Sequence, residues 1–287
     1  MDIIKGYRDE RFKNFIKKIL KYSITNDTLI DTLVSEKALS LYSIALTSKE
    51  SDPINNYEMF EQLGDVSINK FVVNYMYGRF PQLENPNGVD LVAKLKIKYA
   101  SKEILHLLGE EMGMWPFITA TKDEKTNKRK KLLEDTFEAF FGVTEYIIDT
   151  IFYTKNWSTN TKTFLIFPHN TYIGTGFNII FFILKHLFDT LDISLKYESL
   201  VDAKTRLNEL ASEHQHQLRI KYTMRSSPEE KRHIISVVNE ITKETLGTGT
   251  GALKKDAEIN AAANALETLK NKYNIIKHAP ERYTAFY

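Results

Sequence analysis

Apolar residues recur every three or four positions through most of the chain up to about residue 190, which is the spacing of one face of an α-helix. This periodicity is broken at segments that contain proline, several of them with asparagine or glycine: Asp52-Pro53, Phe80-Pro81, Glu84–Gly88 and Trp115-Pro116. The longest apolar run, Phe177–Phe188, contains polar and charged residues and is too short to span a bilayer, so we interpret it as a buried helix. The pattern predicts that this part of the chain is mainly helical.

The pattern changes after about residue 200, where a short amphipathic helix is predicted to begin at Asp202. Alternating apolar and polar residues then predict three strands, at Gln217–Met224, His233–Asn239 and Glu240–Gly247. The alanine-rich segment Leu253–Tyr273 is predicted to be a helix. This order, α-β-β-β-α, is typical of a small α+β domain.

The composition fits a protein with two domains. The chain has 287 residues, of which 43% are hydrophobic, so two domains of ordinary size can each bury an apolar core. The formal net charge of +2 does not indicate a uniformly basic surface, and acidic and basic surfaces are expected to be separated. Cysteine is absent, which excludes disulfides and thiolate zinc sites. Residues 1–11 are rich in charge, and we expect no signal peptide there.

Two acidic segments carry the strongest chemical signal. Glu58, Glu61 and Asp65 fall within about 60° of one another on a helical wheel, so they project from one stripe of a helix. Asp135 and Glu138 repeat the i, i+3 spacing in a second segment. Each segment is otherwise apolar, which makes the repeated carboxylates unusual.

The opposite sides of these two segments are predicted to face the core. Their apolar residues are Phe60, Leu63 and Phe71 in the first segment and Phe137 and Phe140 in the second. Gly64 has no side chain, so the backbone of another segment could approach closely at this position.

A cluster of carboxylates requires cations or bound protons to offset the repulsion between its negative charges. Two of them about 4 Å apart repel by roughly 4 kcal/mol at an effective dielectric near 20. Because hard oxygen ligands on rigid helices suit magnesium or manganese, the two segments are candidate metal ligands. A solvated acidic face is the alternative for each segment taken alone, and spacing does not show that the two segments meet.

The amino-acid sequences of these segments resemble motifs of the ribonuclease III family. Asn56–Val66 (NYEMFEQLGDV) is similar to the signature motif of that family, and Glu134–Gly142 (EDTFEAFFG) is similar to its second acidic motif. Between them, Leu95–Leu105 resembles the family's connecting helix and Leu108–Met114 resembles the segment that follows it. The order and separation of the matches also fit, which strongly disfavours the solvated-face interpretation.

The resemblance implies a mainly α endonuclease domain at residues 1–195, with an unassigned extension at 153–190, that hydrolyses double-stranded RNA. The residues at the family's catalytic positions, implied to hold Mg²⁺ or alternatively Mn²⁺, are Glu61, Asp65, Asp135 and Glu138. Glu58, on the same stripe, would orient a ligand, a water or the RNA. The resemblance further implies a homodimer whose two sites each cut one strand and leave a short 3′ overhang, with no membrane partner.

The C-terminal pattern resembles a double-stranded RNA-binding domain, which we place at residues 200–273, followed by a tail at 274–287. Gly247–Ala263 is similar to that family's glycine turn and the basic start of its last helix. By position, the residues that would face a minor groove are Thr205, Asn208 and Glu209, and those that would contact phosphates are Lys254 and Lys255.

The chain departs from both family patterns in a few places. Gln62 stands where ribonuclease III usually has an aromatic residue used in subunit contact, which leaves the detailed dimer packing open. Lys102 stands where asparagine is common. In the RNA-binding domain, residues 227–232 lack the usual Gly-Pro and histidine, although Lys231 and Arg232 could still contact phosphate.

The sequence supports two other functions less well than nuclease activity. A non-catalytic protein that binds duplex RNA, as a silencing suppressor or a ribosomal structural component, is the alternative, and it is disfavoured because the acidic residues are retained. A DNA nuclease is disfavoured by the RNA-binding domain. The basic run Lys122–Lys131 is expected to be a solvated loop, with contact to the RNA backbone as the alternative. We expect an intracellular, cytoplasmic location. The motifs resemble versions in large DNA viruses, and for a viral protein the location would be the host cytoplasm.

Overall fold

A computed structural model of the protein describes residues 2–153, 174–225 and 232–286. These residues form two units. The first unit contains the described residues up to Glu84 and from Leu95 to Asp192. The second unit contains Asn85–Lys94 and the described residues from Ile193 onward. The segment Asn85–Lys94 therefore belongs to the second unit, although it lies between two parts of the first in the sequence.

The part of the chain before residue 193 is mainly helical, as the periodicity predicts. Its helices are α1 (Glu10–Leu20), α2 (Asp27–Leu33), α3 (Glu36–Ala45), α4 (Glu58–Arg79), α5 (Val89–Tyr99), α6 (Lys102–Met112), α7 (Lys122–Asn127), α8 (Arg129–Tyr153) and α9 (Thr175–Phe188). Two short strands, β1 (Ile3–Ile4) and β2 (Ala120–Thr121), pair antiparallel. Short 3₁₀ turns lie at or directly after predicted breaks, at Pro81–Leu83, Pro86–Gly88 and Trp115–Phe117.

The core of the first unit includes the faces along which α4 packs against α8. Phe60 and Phe71 of α4 and Phe137 and Phe140 of α8 are fully buried, as predicted for the sides opposite the carboxylates. Burying such a side chain contributes about 1.5–3 kcal/mol relative to leaving it exposed. The ring of Phe140 also lies 5.3 Å from that of Tyr42 on α3, which extends this core to a third helix.

Two glycines allow α4 and α8 to approach at backbone distance. A Cβ built on Gly64 would lie 1.8 Å from the carbonyl oxygen of Glu138, and one built on Gly142 would lie 2.1 Å from that of Phe60. Side chains do not tolerate such distances, so glycine is required at both positions. We call this contact the glycine crossing. It confirms the prediction that Gly64 lets another backbone come close.

Helix α9 confirms the helix predicted at Phe177–Phe188 and shows that it is buried on one face only, since Phe182 is 49% exposed. The start of α9 is held by α8, because the Gly176 N–H donates to Asp149 Oδ1 at 2.6 Å. Within the described ranges, the helices lack the combination of length and apolar character that crossing a membrane requires.

Two predictions for α4 and the following helices are wrong. Leu63, predicted to face the core, is 36% exposed, because the buried stripe of α4 is centred on Gly64 and Phe71. The connecting helix predicted at Leu95–Leu105 is divided between α5 and α6. The division occurs because Ser101 adopts extended backbone and begins the second helix.

The basic run Lys122–Lys131, predicted to be a loop, is helical except at Lys128, which separates α7 from α8. The Thr121 side chain accepts the N–H of Glu124, whose carboxylate accepts the N–H of Thr121, and this capping box starts α7. The basic residues of the run that form ion pairs with glutamates are Lys128 with Glu50 (2.6 Å), Arg129 with Glu110 (2.8 Å) and Lys130 with Glu103 (2.9 Å).

The second unit contains the predicted α-β-β-β-α order. Its elements after residue 192 are α10 (Tyr197–Leu200), α11 (Ala203–Glu213), β3 (Ile220–Arg225), β4 (His233–Asn239), β5 (Thr245–Gly251), α12 (Lys254–Tyr273) and α13 (Glu281–Thr284). The sheet is antiparallel in the order β3-β4-β5, with Val237 opposite both Tyr222 and Gly247. Its core joins Leu207 and Leu210 of α11 to the sheet and to the alanines of α12.

Small residues bring α12 onto β5. A Cβ on Gly247 would lie 2.4 Å from the backbone nitrogen of Ala265, and one on Gly249 would lie 2.1 Å from that of Ala261. The glycines predicted to form a turn therefore lie in a strand, where their lack of a side chain admits the alanine face of the helix.

The predicted strand boundaries also need correction. Residues 240–244 form a turn after β4, where Lys243 has a φ of 62°, so β5 begins later than predicted. The first strand of the sheet, predicted from Gln217, begins with β3 at Ile220.

Replacing Gly142 with alanine should strongly destabilise the protein, because the new methyl group would overlap the carbonyl of Phe60. We expect a loss of about 3 kcal/mol or more in the free energy of unfolding, measured as a lower thermal midpoint by calorimetry. Gly78→Ala is the matched control on α4, since a Cβ there would meet nothing within 4 Å. It should be neutral or stabilising by about 0.5–1 kcal/mol. Equal midpoints for the two variants would contradict the role given to the glycine crossing.

Candidate active site

The glycine crossing brings acidic side chains of α4 and α8 together. They are Glu61 and Asp65 on α4 and Asp135 and Glu138 on α8, and we call these four the carboxylate cluster. Gly64 contacts the backbone of Glu138 directly. The negative charges of the other three members all act on Glu138. The structure thus gathers the residues that the sequence predicts as metal ligands.

Burial and like charge raise pKa values in the carboxylate cluster. Glu138 is 8% exposed, and burial, followed by the charges of Asp65 and Glu134, raises its pKa to about 8. Burial and the charge of Asp135 raise the pKa of the half-buried Glu61 to about 7. Both groups therefore tend to hold protons near neutral pH unless a cation takes the place of those protons.

Asp135 is held by a buried hydrogen bond. The Tyr57 hydroxyl donates to Asp135 Oδ2 at 2.7 Å. Burial raises the pKa of Asp135, whereas this hydrogen bond lowers it because it favours the ionised carboxylate. The sequence pattern does not single out Tyr57, and its only signal is its place beside Glu58 within the first acidic motif.

Two lysines border the carboxylate cluster. Lys131 is exposed, and its charge lowers the pKa of both Glu61 and Asp135. Lys102 forms an ion pair with Glu134, which explains how lysine is accommodated where the family commonly has asparagine. The sequence pattern marks Lys131 only as the end of the basic run Lys122–Lys131, although its position one helical turn before Asp135 also indicates a place beside the cluster.

Glu58 and Asp65 lie on the exposed side of the site. Both carboxylate oxygens of Glu58 accept from Lys49 Nζ, at 2.8 and 2.9 Å. Asp65 Oδ1 accepts from Asn69 Nδ2 at 2.8 Å. Glu58 therefore has a cation of its own, which sets it apart from the carboxylate cluster.

The chemistry of the carboxylate cluster fits a hard divalent cation, since carboxylate oxygens are the ligands that Mg²⁺ and Mn²⁺ prefer. In the described part of the chain, however, no three Asp, Glu, His or Cys side chains converge on a common metal position. If the carboxylates of the cluster are to bind one ion together, their side chains must therefore rotate, while the glycine crossing keeps the backbones of α4 and α8 in place.

The second unit presents lysines at the start of α12. Lys254 and Lys255 occupy its first turn and are exposed. Glu258, one turn further on, pairs with Lys204 of α11 at 2.6 Å and with Lys254 at 4.0 Å. Because a helix N-terminus favours anions, this end suits phosphate, although the carboxylate of Glu258 lowers its positive charge.

Helix α11 carries the residues predicted to face a minor groove. Asn208 is exposed and Thr205 is half-buried. Glu209 accepts a hydrogen bond from the Tyr197 hydroxyl and pairs with Lys277 Nζ at 3.3 Å. The side chain of Lys277 is only 6% exposed, so the segment predicted to be a tail packs against the helix. Glu209 is thus held by protein groups.

The remaining predicted contacts are described in part. Arg232 is exposed directly before β4, whereas Lys231 lies outside the described residues. Of the extension assigned to 153–190, residues 154–173 also lie outside them.

Comparison with known proteins gives two family matches. The Ribonuclease III domain matches residues 58–147, and the Double-stranded RNA binding motif matches residues 203–269. Two viral proteins named "Putative ribonuclease 3" are similar to most of this chain. The one from Invertebrate iridescent virus 6 is 53% identical and covers 98% of this chain and 94% of the relative. The one from Frog virus 3 (isolate Goorha) is 32% identical and covers 88% of this chain and 61% of the relative.

Among solved structures, the nuclease domain of ribonuclease III from Campylobacter jejuni aligns with 63% of this chain and 97% of that chain, at 18% identity and a TM-score of 0.42. The sequence matches place the chain in the ribonuclease III family, to which it belongs. With a ribonuclease III domain and a double-stranded RNA binding motif in one chain, it is an endoribonuclease that acts on double-stranded RNA. The family is generally dependent on divalent metal ions.

Replacing Glu138 with glutamine should stabilise the metal-free protein at alkaline pH. Because the pKa of Glu138 is raised in the folded state, folding takes up a proton, and the carboxyl group lowers stability as the pH rises from 4.5 towards 8. Glutamine removes this effect. We expect a gain of about 1–2 kcal/mol at pH 8, or a few degrees in the thermal midpoint, and little gain at pH 5.

Glu111→Gln, which changes an exposed glutamate on α6, is the control and should show no gain that grows with pH. A Glu138→Gln effect of the same size at pH 5 and pH 8 would argue against a raised pKa. All midpoints are measured in the presence of a chelator.

Proposed function

We propose that the carboxylate cluster is the catalytic centre of this endoribonuclease and that its four members bind Mg²⁺, with Mn²⁺ as the alternative ion. The observation that carries the proposal is the meeting of carboxylates from two helices at the glycine crossing, where burial and like charge raise the pKa of Glu61 and Glu138. A divalent cation offsets this excess of negative charge better than protons do, because it leaves all four groups ionised.

Hydrolysis of a phosphodiester requires an activated water and a stabilised leaving oxygen. Magnesium supplies both when bound, because it acidifies water and offsets the charge that develops on the departing 3′ oxygen. The carboxylate cluster holds the ion, and Glu58, whose carboxylate is paired with Lys49, orients a ligand, a water or the RNA beside it. Lys131, exposed at the edge of the cluster, adds positive charge where a phosphate approaches.

The second unit binds the duplex. An A-form duplex is recognised by its shape, through 2′-hydroxyl groups in the minor groove and phosphates across the intervening major groove. The exposed cations Lys254, Lys255 and Arg232 suit phosphates. Thr205 and Asn208, which are polar and uncharged, suit the hydroxyl groups of a minor groove.

A homodimer formed through the nuclease domain completes the proposal. Leu63 and Val66 of α4 are 36% and 65% exposed, and Gln62 beside them is exposed as well. Exposed apolar side chains beside one another suit an interface with a second copy of the chain. In a dimer, each subunit cuts one strand of the duplex, and the two cuts leave a short 3′ overhang.

The purified protein should cleave long double-stranded RNA in Mg²⁺, whereas Glu138→Ala and Asp65→Asn should not. Losing a ligand of the ion removes much of its stabilisation of the transition state, so we expect rates at least about 100-fold lower, equivalent to roughly 3 kcal/mol. Glu111→Gln is the control and should cut like the wild type. Mapping of the product ends should find 3′ overhangs. Intact RNA with the wild type, or cutting by the two variants at the wild-type rate, would contradict the proposal.

The same variants separate binding from cleavage in gel-shift measurements. Glu138→Ala should still bind the duplex, whereas the double variant Lys254→Ala, Lys255→Ala should bind weakly and lower the salt-dependence slope by about 2. Lys270→Ala, an exposed lysine near the other end of α12, is the matched control. Duplex DNA should compete poorly with duplex RNA.

Introducing charge on the exposed face of α4 should separate the dimer. Light scattering should give the wild type twice the chain mass of 33.3 kDa, and Val66→Glu should give that of the monomer. Burying a charge in an apolar interface is unfavourable, which is the reason for the expected loss. Ile97→Glu is the control, since Ile97 is 67% exposed on α5. A monomeric wild type would refute this arrangement.

A further inference from the structure

The Tyr57 side chain joins the two helices that carry the carboxylate cluster. Tyr57 lies directly before α4, and its hydroxyl donates to Asp135 Oδ2 on α8, 78 positions away in the sequence. Tyr57 is 7% exposed and Asp135 is 4% exposed, so water competes little for this bond. A hydrogen bond to an ionised group in such a dry environment fixes the orientation of that group strongly.

The backbone around Tyr57 is also held in place. Its N–H donates to the carbonyl of Thr47 at 3.0 Å, and its own carbonyl accepts the N–H of Glu61 at 2.8 Å. Ser48, next to Thr47, donates to the buried carboxylate of Glu124 at 2.7 Å. The hydroxyl of Tyr57 is therefore presented by a segment that is fixed on both sides.

We infer that Tyr57 is a positioning residue for metal binding, because its hydroxyl holds Asp135 by Oδ2 and leaves the other carboxylate oxygen, Oδ1, for the ion. This inference rests on the proposed metal-binding role of the carboxylate cluster. Since no three described carboxylates converge on one position, several must turn to share an ion. A ligand that is already oriented reduces the ordering that binding requires.

A second tyrosine–aspartate hydrogen bond in the unit, to a more exposed aspartate, serves as a control that distinguishes positioning from simple stabilisation. The Tyr75 hydroxyl donates to Asp189 Oδ1 at 2.9 Å. Tyr75 lies about 15 Å along α4 from Asp65, so it cannot act directly on the carboxylate cluster. Replacement of either tyrosine by phenylalanine removes one hydroxyl-to-carboxylate hydrogen bond, but only the change at Tyr57 should affect metal binding.

The test is binding of Mn²⁺ to the RNA-free protein, followed by electron paramagnetic resonance, in the wild type and three variants. For Tyr57→Phe we expect the Kd for Mn²⁺ to rise about 10–100-fold, the range typical of lost groups that orient metal ligands. Tyr75→Phe should bind like the wild type, and Glu138→Gln should bind far more weakly. In cleavage assays, Tyr57→Phe should need more Mg²⁺ and recover most of the wild-type rate at saturation.

The outcomes separate this inference from the function on which it rests. If Glu138→Gln loses Mn²⁺ and Tyr57→Phe binds it like the wild type, the positioning role is wrong and the metal site stands. If Glu138→Gln also binds like the wild type, the proposed function itself fails.

A structural role for Tyr57 would give a different pattern. Tyr57→Phe and Tyr75→Phe should both lower the metal-free thermal midpoint by small amounts, and Tyr57→Phe by somewhat more because Asp135 is buried whereas Asp189 is exposed. A fall larger by about 10 °C in Tyr57→Phe would assign its hydroxyl to stability and overturn the inference. Tyr57→Leu removes the ring as well, and it should lose Mn²⁺ affinity about as much as Tyr57→Phe does. A loss confined to Tyr57→Leu would show that packing of the ring matters and the hydroxyl does not.

Discussion

Gly64 and Gly142 set the distance between α4 and α8, and this distance decides how closely the acidic side chains of the first unit approach one another. Because neither residue has a side chain, backbone carbonyls occupy the space that a Cβ would fill. The carboxylates within a turn of the contact on each helix then act on one another electrostatically. The spacing of the helices and the concentration of charge are thus set by the same two residues.

The glycine crossing holds like charges together, so the stabilising free energy has to come from groups elsewhere on the same helices. Each fully buried aromatic side chain, such as Phe60 or Phe137, contributes about 1.5–3 kcal/mol. Two carboxylates about 4 Å apart oppose this by roughly 4 kcal/mol at an effective dielectric near 20. Protonation of Glu61 and Glu138 removes part of this repulsion. For this reason the pKa values of both groups are raised. The apolar faces can therefore support a charge cluster whose full ionisation needs a cation.

Periodicity identifies which faces of α4 and α8 are apolar, and so the sequence predicts both helices and the close approach at Gly64. Periodicity does not locate the edge of a buried stripe, because a helical wheel contains no information about the position and width of the helix that packs against it. Leu63 lies beyond that edge. The bond between Tyr57 and Asp135 depends on how distant segments pair, which no local spacing encodes. The resemblance to ribonuclease III, and not the spacing, indicated that the two acidic segments belong together.

The second unit uses the same kind of close packing, with glycines of β5 against alanines of α12, and this leaves the basic start of the helix exposed. The motif places Lys254 there correctly, but its electrostatic effect depends on Glu258, whose position between two lysines follows only from the fold. Glu209, chosen by motif position, is held by Lys277 from a segment that the sequence presents as a tail. The nearest opposite charge determines what a charged side chain can still bind. A binding surface inferred from motif positions alone therefore overestimates the number of groups that are available to RNA.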